Sequence, residues 1–337
     1  MSSKTKKTKK TMLITILTAA IVLIAAAVLW YLYQNVSLNR LNKKQTEETM
    51  NSGSAENDTS DSIFYNGKEY VYNKNLTNVL FMGIDKDAEV SLSNMPGTSG
   101  QADCLMVISL DKSNETARVL QVSRDTMTDV DLFDVSGKYY TTVQAQIATQ
   151  YAYGNGVQSS CFATKKTVSE LLYDLPIDGY LSLNLSAISI LNDAVGGVTV
   201  TVPEDYTDID PAFTAGTTIT LTGEQAEKYV RKRDITVLGS NNGRMQRQMQ
   251  YIPALIQSIR KKVGSGGDYY KMLEPILEPY MATDLSADQI NQLGRYEFLE
   301  DETEYLQGEM KQGEHDEFYV DEENLQEILI KMFYIEK

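Results

Sequence analysis

The chain has 337 residues, 42% of them hydrophobic and 9% aromatic, enough apolar material for one large or two small folded domains. Its 46 acidic side chains against 31 basic ones give a net charge of −15, which leaves no basic surface broad enough for general nucleic-acid binding. One histidine, His315, nearly excludes a His-based triad, a His-rich zinc site or an H-E-x-x-H protease, and neither G-x-S-x-G nor a P-loop occurs. Chemistry here has to run on carboxylates, arginines or a bound metal.

Residues 1–10 carry Lys4, Lys6, Lys7, Lys9 and Lys10, and Thr11 to Tyr33 follows as about 23 almost wholly apolar, uncharged residues, long enough to cross a hydrocarbon core of ~30 Å. The lysines put the N-terminus in the cytoplasm, and Trp30, Tyr31 and Tyr33 form an aromatic belt at the far interface. The competing reading is a cleaved signal peptide, whose apolar core is usually about 7–15 residues with a small-residue cleavage site soon after. Trp-Tyr-Leu-Tyr stands where that site would lie, so the expectation is an uncleaved single-span anchor in the cell membrane with the remainder outside the cytoplasm. Residues 34–62, polar and poor in aromatics, read as a flexible tether.

The folded part is expected over 63–337. Asn66-Gly67 between aromatic runs predicts a hairpin over 64–72. Asn78–Gly83, Cys104–Leu110 and Ala117–Val122 read as buried strands, the first two side by side, with Asp85, Asp103 and Ser123-Arg124-Asp125-Thr126 at their ends. Helices are expected at 159–173 and 186–195, with strands at 178–184 and 198–202. Thr222-Gly-Glu-Gln225 and Ser286-Ala-Asp-Gln289 are capping boxes. A helix over 246–263 is expected to kink at Pro253, and further helices at 272–280 and 321–333 flank an acidic stretch with strands, taken as the end of the same domain. The fold class is α/β, a single layered domain with a central mixed sheet flanked by helices and preceded by one transmembrane helix.

Within this acidic chain four of nine arginines, Arg231, Arg233, Arg244 and Arg247, fall between 229 and 251. Arg244, Arg247, Gln248 and Tyr251 share one face of a helix, and Asn242-Gly243 supplies an N-cap that aims free N–H groups the same way. Arg231 and Arg233 share a face if their segment is extended. Guanidinium groups beside a helix N-terminus suit phosphate or pyrophosphate, whereas the bland alternative is a solvated basic face. Asp85 and Asp103, opposite the arginines, describe a Mg²⁺–pyrophosphate site; on spacing alone, caps and turn formers account for them as well. Cys104 and Cys161 are either a buried disulfide or two separate reduced core thiols.

Taken in order, these motifs resemble the LytR-CpsA-Psr family of envelope glycopolymer transferases over about 78–263. The resemblance rests on Asn78-Val-Leu-Phe-Met-Gly-Ile-Asp85, Ala102-Asp103, Val122-Ser-Arg-Asp-Thr126, Tyr151-Ala-Tyr-Gly154, Leu175-Pro-Ile-Asp178 and Gly196-Gly-Val-Thr-Val200. It continues through Leu221-Thr-Gly-Glu-Gln-Ala226, Tyr229-Val-Arg-Lys-Arg233 and Gly243-Arg-Met-Gln-Arg-Gln248. It implies transfer of a glycopolymer from a polyprenyl pyrophosphate carrier onto peptidoglycan through a phosphodiester, outside the membrane, in a Gram-positive envelope. By position Asp85 and Asp103 would hold Mg²⁺; Arg124, Arg231, Arg233, Arg244, Arg247 and Gln248 would bind the pyrophosphate; and Asp103 is also a candidate base. Catalytic roles fall on Asp103, Arg124, Arg231 and Arg233. The chain departs from the family at Gln101, where an arginine is usual, at Ser123 for a proline, at Gln146-Ile-Ala148 for Lys-Ile-Asn, and at Asn241-Asn242 for an acidic residue. Two other readings stay open: a polyprenyl-phosphate-binding or regulatory protein without turnover, and a pyrophosphatase-like hydrolase.

Overall fold

The apolar runs around 80, 106 and 120 are too continuous to leave one strand face in water, so they belong in a sheet covered on both sides. A computed structural model describes residues 62–337 apart from 94, 235, 265 and 266; the expected span at 11–33 and nearly all of the tether at 34–62 lie outside the described residues. No helix among the described residues is long and apolar enough to cross a membrane.

The strands are β1 (Ser62–Tyr65), β2 (Lys68–Tyr72), β3 (Leu76–Ile84), β4 (Ala102–Asp111), β5 (Thr116–Val122), β6 (Met127–Phe133), β7 (Tyr139–Gln146), β8 (Gly179–Asn184), β9 (Val198–Thr201) and β10 (Thr218–Leu221). They continue with β11 (Met281–Thr283), β12 (Glu297–Tyr305), β13 (Gly308–Gln312), β14 (Asp316–Val320) and β15 (Tyr334–Glu336). The α-helices are α1 (Gln158–Leu171), α2 (Ser186–Ala194), α3 (Gly223–Arg231), α4 (Asn241–Val263), α5 (Tyr269–Leu277), α6 (Ala287–Leu293) and α7 (Glu322–Phe333). The central sheet has the order β11-β8-β3-β4-β5-β12. β8 runs parallel to β3 and β12 parallel to β5, while the other neighbours are antiparallel, so the sheet is mixed as expected.

Alternation along the strands splits the core in two. Leu80, Met82, Leu105 and Val107 face one side with Cys161, Val168, Leu325 and Phe333 from α1 and α7. Val79, Cys104 and Met106 face the other with Ile188, Tyr229, Met249 and Ile252 from α2, α3 and α4. This arrangement settles the cysteines: Cys104 and Cys161 are free, buried and on opposite faces of the sheet, so no disulfide joins them.

Local signals act where they were expected. Asn66 and Gly67 turn the β1–β2 hairpin with φ of 49° and 78°, the two positive values of a type I′ turn. Both capping boxes form. α4 departs from expectation at its start: it begins at Asn241, which puts Gly243 inside its first turn rather than ahead of it. The helix runs on through Pro253, whose missing N–H removes one backbone bond. The β6–β7 hairpin was not foreseen. Its strands are half-exposed and mix polar with apolar residues, so they carry little hydrophobic signal.

Leu80 is fully buried in the middle of β3. Leu80→Ala is expected to lower unfolding free energy by about 2–5 kcal/mol, the transfer term plus the cavity left behind, measured by denaturant titration of the isolated folded region.

Candidate active site at one edge of the sheet

Because β3, β4 and β5 are successive antiparallel neighbours, the end of β3, the start of β4 and the end of β5 meet at one edge. Asp85 leaves β3 there, Asp103 is the second residue of β4, and Arg124 follows β5. The first turns of α4 close on the same edge: Asn241 Nδ2 donates to Ser123 Oγ at 3.2 Å, and Arg244 Nη1 donates to Asp103 Oδ2 at 2.9 Å. Asn241 Oδ1 in turn accepts Arg244 Nε at 3.1 Å and Nη2 at 2.7 Å, fixing the guanidinium plane.

Arg124 approaches Asp103 from the other side. Its Nε lies 3.2 Å from Asp103 Oδ1 and 3.8 Å from Asp125 Oδ1, and its Nη2 donates to Gln101 Oε1. Arg124 Nε and Asp103 Oδ1 are both buried and lack a hydrogen bond, since their alignment fails although their charges pair. The Gln101 backbone joins the two acid-bearing segments: its N–H donates to Asp85 Oδ1 at 2.5 Å, and its carbonyl accepts Asp85 N and Asp103 N, each at 3.1 Å. Gly100 adopts φ +88°, and a Cβ there would stand 2.9 Å from both Asp85 Oδ1 and Lys86 Cγ.

The other predicted residues fall into three groups. Arg233 points to the same region, with Nη1 3.7 Å from Asp316 Oδ2, a residue of β14 that no sequence motif had marked. Arg231, the last residue of α3, pairs instead with Asp87 and Glu227, each at 3.1 Å, so it and Arg233 take different partners rather than sharing a face. Arg247 and Gln248 were expected on the pyrophosphate; in the structure they are buried supports. Arg247 Nε donates to Tyr229 O at 2.7 Å, its Nη2 donates to Lys232 O, and its guanidinium lies 4.3 Å from the Tyr206 ring centre. Gln248 Nε2 donates to Val230 O at 3.0 Å and Gln248 Oε1 accepts Gln121 Nε2 at 2.9 Å. These are carbonyls that a helix end leaves without intrahelical partners. The i, i+3, i+4, i+7 face is therefore real, but its upper residue meets Asp103 while the next two cap α3.

Burial shifts the charges. The Asp85 carboxyl is raised above its ordinary range, first by desolvation and then by the Asp103 charge, against the Gln101 N–H, Arg124 and Lys86. Asp125, with no exposed surface, is raised by burial, opposed by Arg124, Arg233 and Arg244. Desolvation pulls the Arg244 guanidinium down, with Asp103 opposing. Among the described residues no group of three or more acidic, histidine or cysteine side chains gathers into a metal cage. Mg²⁺ commonly takes one or two carboxylates and fills its remaining positions with phosphate oxygens and water. Asp85 and Asp103, two carboxylates brought to the same strand ends, fit that donor set. Next to Asp85 lies an open cavity of about 570 Å³, lined by Lys86, Glu89, Ser91, Thr98, Ser99 and Asn184 among others.

Fold and edge together define an α/β protein that gathers guanidinium groups and carboxylates at the end of a mixed sheet. The LytR-CpsA-Psr family model matches residues 35–333, and the chain belongs to that family. It is 30% identical over 214 residues to a polyisoprenyl-teichoic acid–peptidoglycan teichoic acid transferase, TagU, of Bacillus cereus (strain AH820), covering 63% of this chain and 61% of the relative. To the transferase of the same description called TagV in Bacillus subtilis (strain 168), it is 33% identical over 185 residues, covering 53% of this chain and 42% of the relative. The chain thus spans less than two thirds of the length of either. The crystal structure of B. subtilis TagV superimposes with a TM-score of 0.56 at 24% identity, covering 77% of this chain and 96% of that one, which shows a shared fold.

Arg247→Ala is expected to destabilise the protein by about 1–3 kcal/mol, because the buried Tyr229 carbonyl and the more exposed Lys232 carbonyl lose their donor; a thermal or urea transition checks it. The raised carboxyl of Asp125 gives a pH signature. A raised folded-state value means that this group's contribution to stability is full below the unfolded value and fades as pH rises through the folded one. Asp125→Asn lacks that loss, so it is expected to melt above wild type at about pH 7, with the gap closing toward about pH 4, close to the free carboxyl value.

Proposed function

We propose that this protein is a membrane-anchored phosphotransferase of the cell envelope. It takes a glycopolymer from a polyprenyl pyrophosphate carrier and joins it to peptidoglycan through a phosphodiester, outside the cytoplasmic membrane. The observation that carries this reading is the convergence of Arg124 and Arg244 on Asp103, close to Asp85. Family membership and the teichoic acid transferases among its relatives support the same reaction class.

Arg124, Arg233 and Arg244 would bind the pyrophosphate oxygens, since delocalised guanidinium charge and paired N–H donors match that group. Asp85 and Asp103 would hold Mg²⁺, which when bound neutralises charge on the phosphate oxygens. The acceptor hydroxyl oxygen bonds to the phosphorus that carries the glycopolymer, the bond from that phosphorus to the bridging oxygen breaks, and polyprenyl phosphate leaves. Asp103 would be the candidate base for the hydroxyl proton. Such a reaction asks mainly for positioning and charge stabilisation, which arginines and a metal supply without a histidine. The cavity beside Asp85 is lined mostly by hydroxyl, amide and charged groups, with Leu92 and Met95 the apolar exceptions, which suits a saccharide better than a prenyl tail.

A second reading, lipid binding without turnover, is favoured by one feature. Gln101 stands where the family usually has an arginine, and it accepts a bond from Arg124 rather than adding a positive charge. The deciding assay combines the full chain with a polyprenyl pyrophosphate-linked saccharide, peptidoglycan fragments and Mg²⁺, following polyprenyl phosphate release and product mass. A phosphodiester adduct that disappears with chelation of the metal is the expected result. Arg124→Ala should lower the rate by about 100–1,000-fold, as loss of one charge-stabilising donor does. Free phosphorylated saccharide would mean a hydrolase, and tight lipid binding without product would mean the second reading.

A further inference from the structure

The C-terminal hairpin reaches the site from outside the stretch that carries the family motifs. Asp316, the first residue of β14, accepts Gly239 N–H on Oδ2 at 3.2 Å and lies 3.7 Å from Arg233 Nη1 through the same oxygen. Its position is fixed from behind. The Asp316 carbonyl accepts Gln146 Nε2 at 2.6 Å, and that nitrogen also donates to Asp125 Oδ1 at 3.0 Å. Two residues on, Phe318 N donates to Asp125 O at 2.8 Å, and Phe318 bridges Thr126 in parallel. β14 is therefore docked on the residues that follow Arg124, and it presents a carboxylate to the connection between α3 and α4 that bears Arg233.

Such a carboxylate can act with either of two signs. As a plain counter-charge it competes with an anionic ligand, and its removal tightens anion binding. As an anchor it holds the arginine and its backbone where the ligand needs them, and its removal weakens binding. Three observations favour the anchor. The carboxylate has a second bond, to Gly239 N–H, which an incoming anion on Arg233 leaves intact. The 3.7 Å separation is looser than the 2.9 Å pair of Arg244 with Asp103, so Arg233 keeps donors for another partner. Lys232 O is held by Arg247 and Gly239 N by Asp316, so the connection is tied on both sides of Arg233.

We infer that Asp316 is a positioning residue that sets Arg233 for pyrophosphate, so that the C-terminal hairpin completes the site. This rests on the pyrophosphate reading given above, and binding tests it without requiring turnover. The full chain is titrated with inorganic pyrophosphate and with a short polyprenyl pyrophosphate in the presence of Mg²⁺, by calorimetry, for wild type, Asp316→Ala, Asp316→Asn, Arg233→Ala and the Asp316→Ala/Arg233→Ala double variant. Asp316→Ala is expected to weaken binding about tenfold, a coupling of the usual size for groups in contact, with the thermal transition near that of wild type. Asp316→Asn, which keeps an acceptor for Gly239 N–H, should lose about threefold. In the Arg233→Ala background Asp316→Ala should add nothing, a result that general destabilisation does not produce. Binding by Asp316→Ala as tight as wild type or tighter, or an equal loss with and without Arg233, would overturn the inference. Should Asp316→Ala fail to fold, the same comparison is made with Asp316→Asn alone and in the Arg233→Ala background. Absence of pyrophosphate binding by the wild-type chain would sink the site reading and this inference together, whereas binding indifferent to Asp316 sinks the inference alone.

Discussion

The site depends on one carboxylate held between two guanidinium groups. Asp103 faces Arg244 through Oδ2 and Arg124 through Oδ1, and each partner arrives from a different element. Removing charged groups from water is unfavourable unless their partners are well placed, and Arg244 retains only 4% side-chain exposure. The geometry of three elements is therefore coupled: β4 must present Asp103, the turn after β5 must present Arg124, and α4 must present Arg244. The antiparallel register of β3, β4 and β5 brings the first two to one edge, and the Asn241–Ser123 bond seats α4 against it.

A second tier keeps that edge in place. Arg247 and Gln248 sit one turn further along α4 and take the terminal carbonyls of α3, which fixes where the chain leaves that helix toward Arg233. A buried arginine that serves carbonyls and lies over an aromatic ring has committed N–H donors that a ligand would otherwise take, although its spacing in sequence matches that of a ligand-binding one. The helix thus has two functions along one face, contact with the reactive edge at its start and capping of a neighbour in its second turn.

Sequence reasoning reached the parts of this architecture that have short-range causes. Strand cores at 80, 106 and 120, the Asn66-Gly67 turn and both capping boxes follow from local pattern and local hydrogen bonds. The neighbouring placement of Asp85 and Asp103 also followed, because two consecutive buried strands usually pair. What could not be read was partner choice. Whether Arg247 faces a ligand or a carbonyl is set by where α3 ends against α4, and the separation of Cys104 from Cys161 is set by which face each strand or helix presents. Asp316 was hidden for a further reason: it lies in an acidic surface hairpin where one aspartate looks like its neighbours, and only the docking of β14 on Asp125 and Thr126 singles it out.

Charge balance links these contacts to the proposed chemistry. Arg124, Arg233 and Arg244 meet Asp103, Asp125 and Asp316, so three positive groups already face three carboxylates, and Asp85 adds a fourth negative group to the same edge. Burial raises the carboxyls of Asp125 and Asp85, opposed by the neighbouring guanidinium groups. On the reading proposed above, a pyrophosphate would bind by exchange, taking guanidinium donors that carboxylates now share, rather than by filling an open basic hole. Exchange is easier when the displaced carboxylates gain a cation of their own, and that is the role a divalent ion on Asp85 and Asp103 would have. Gln101 sharpens the requirement. An arginine there would add a positive charge beside Arg124, whereas the glutamine contributes an acceptor to Arg124 and a backbone N–H to Asp85, so on the proposed reaction more of the neutralising charge would have to arrive with the substrate.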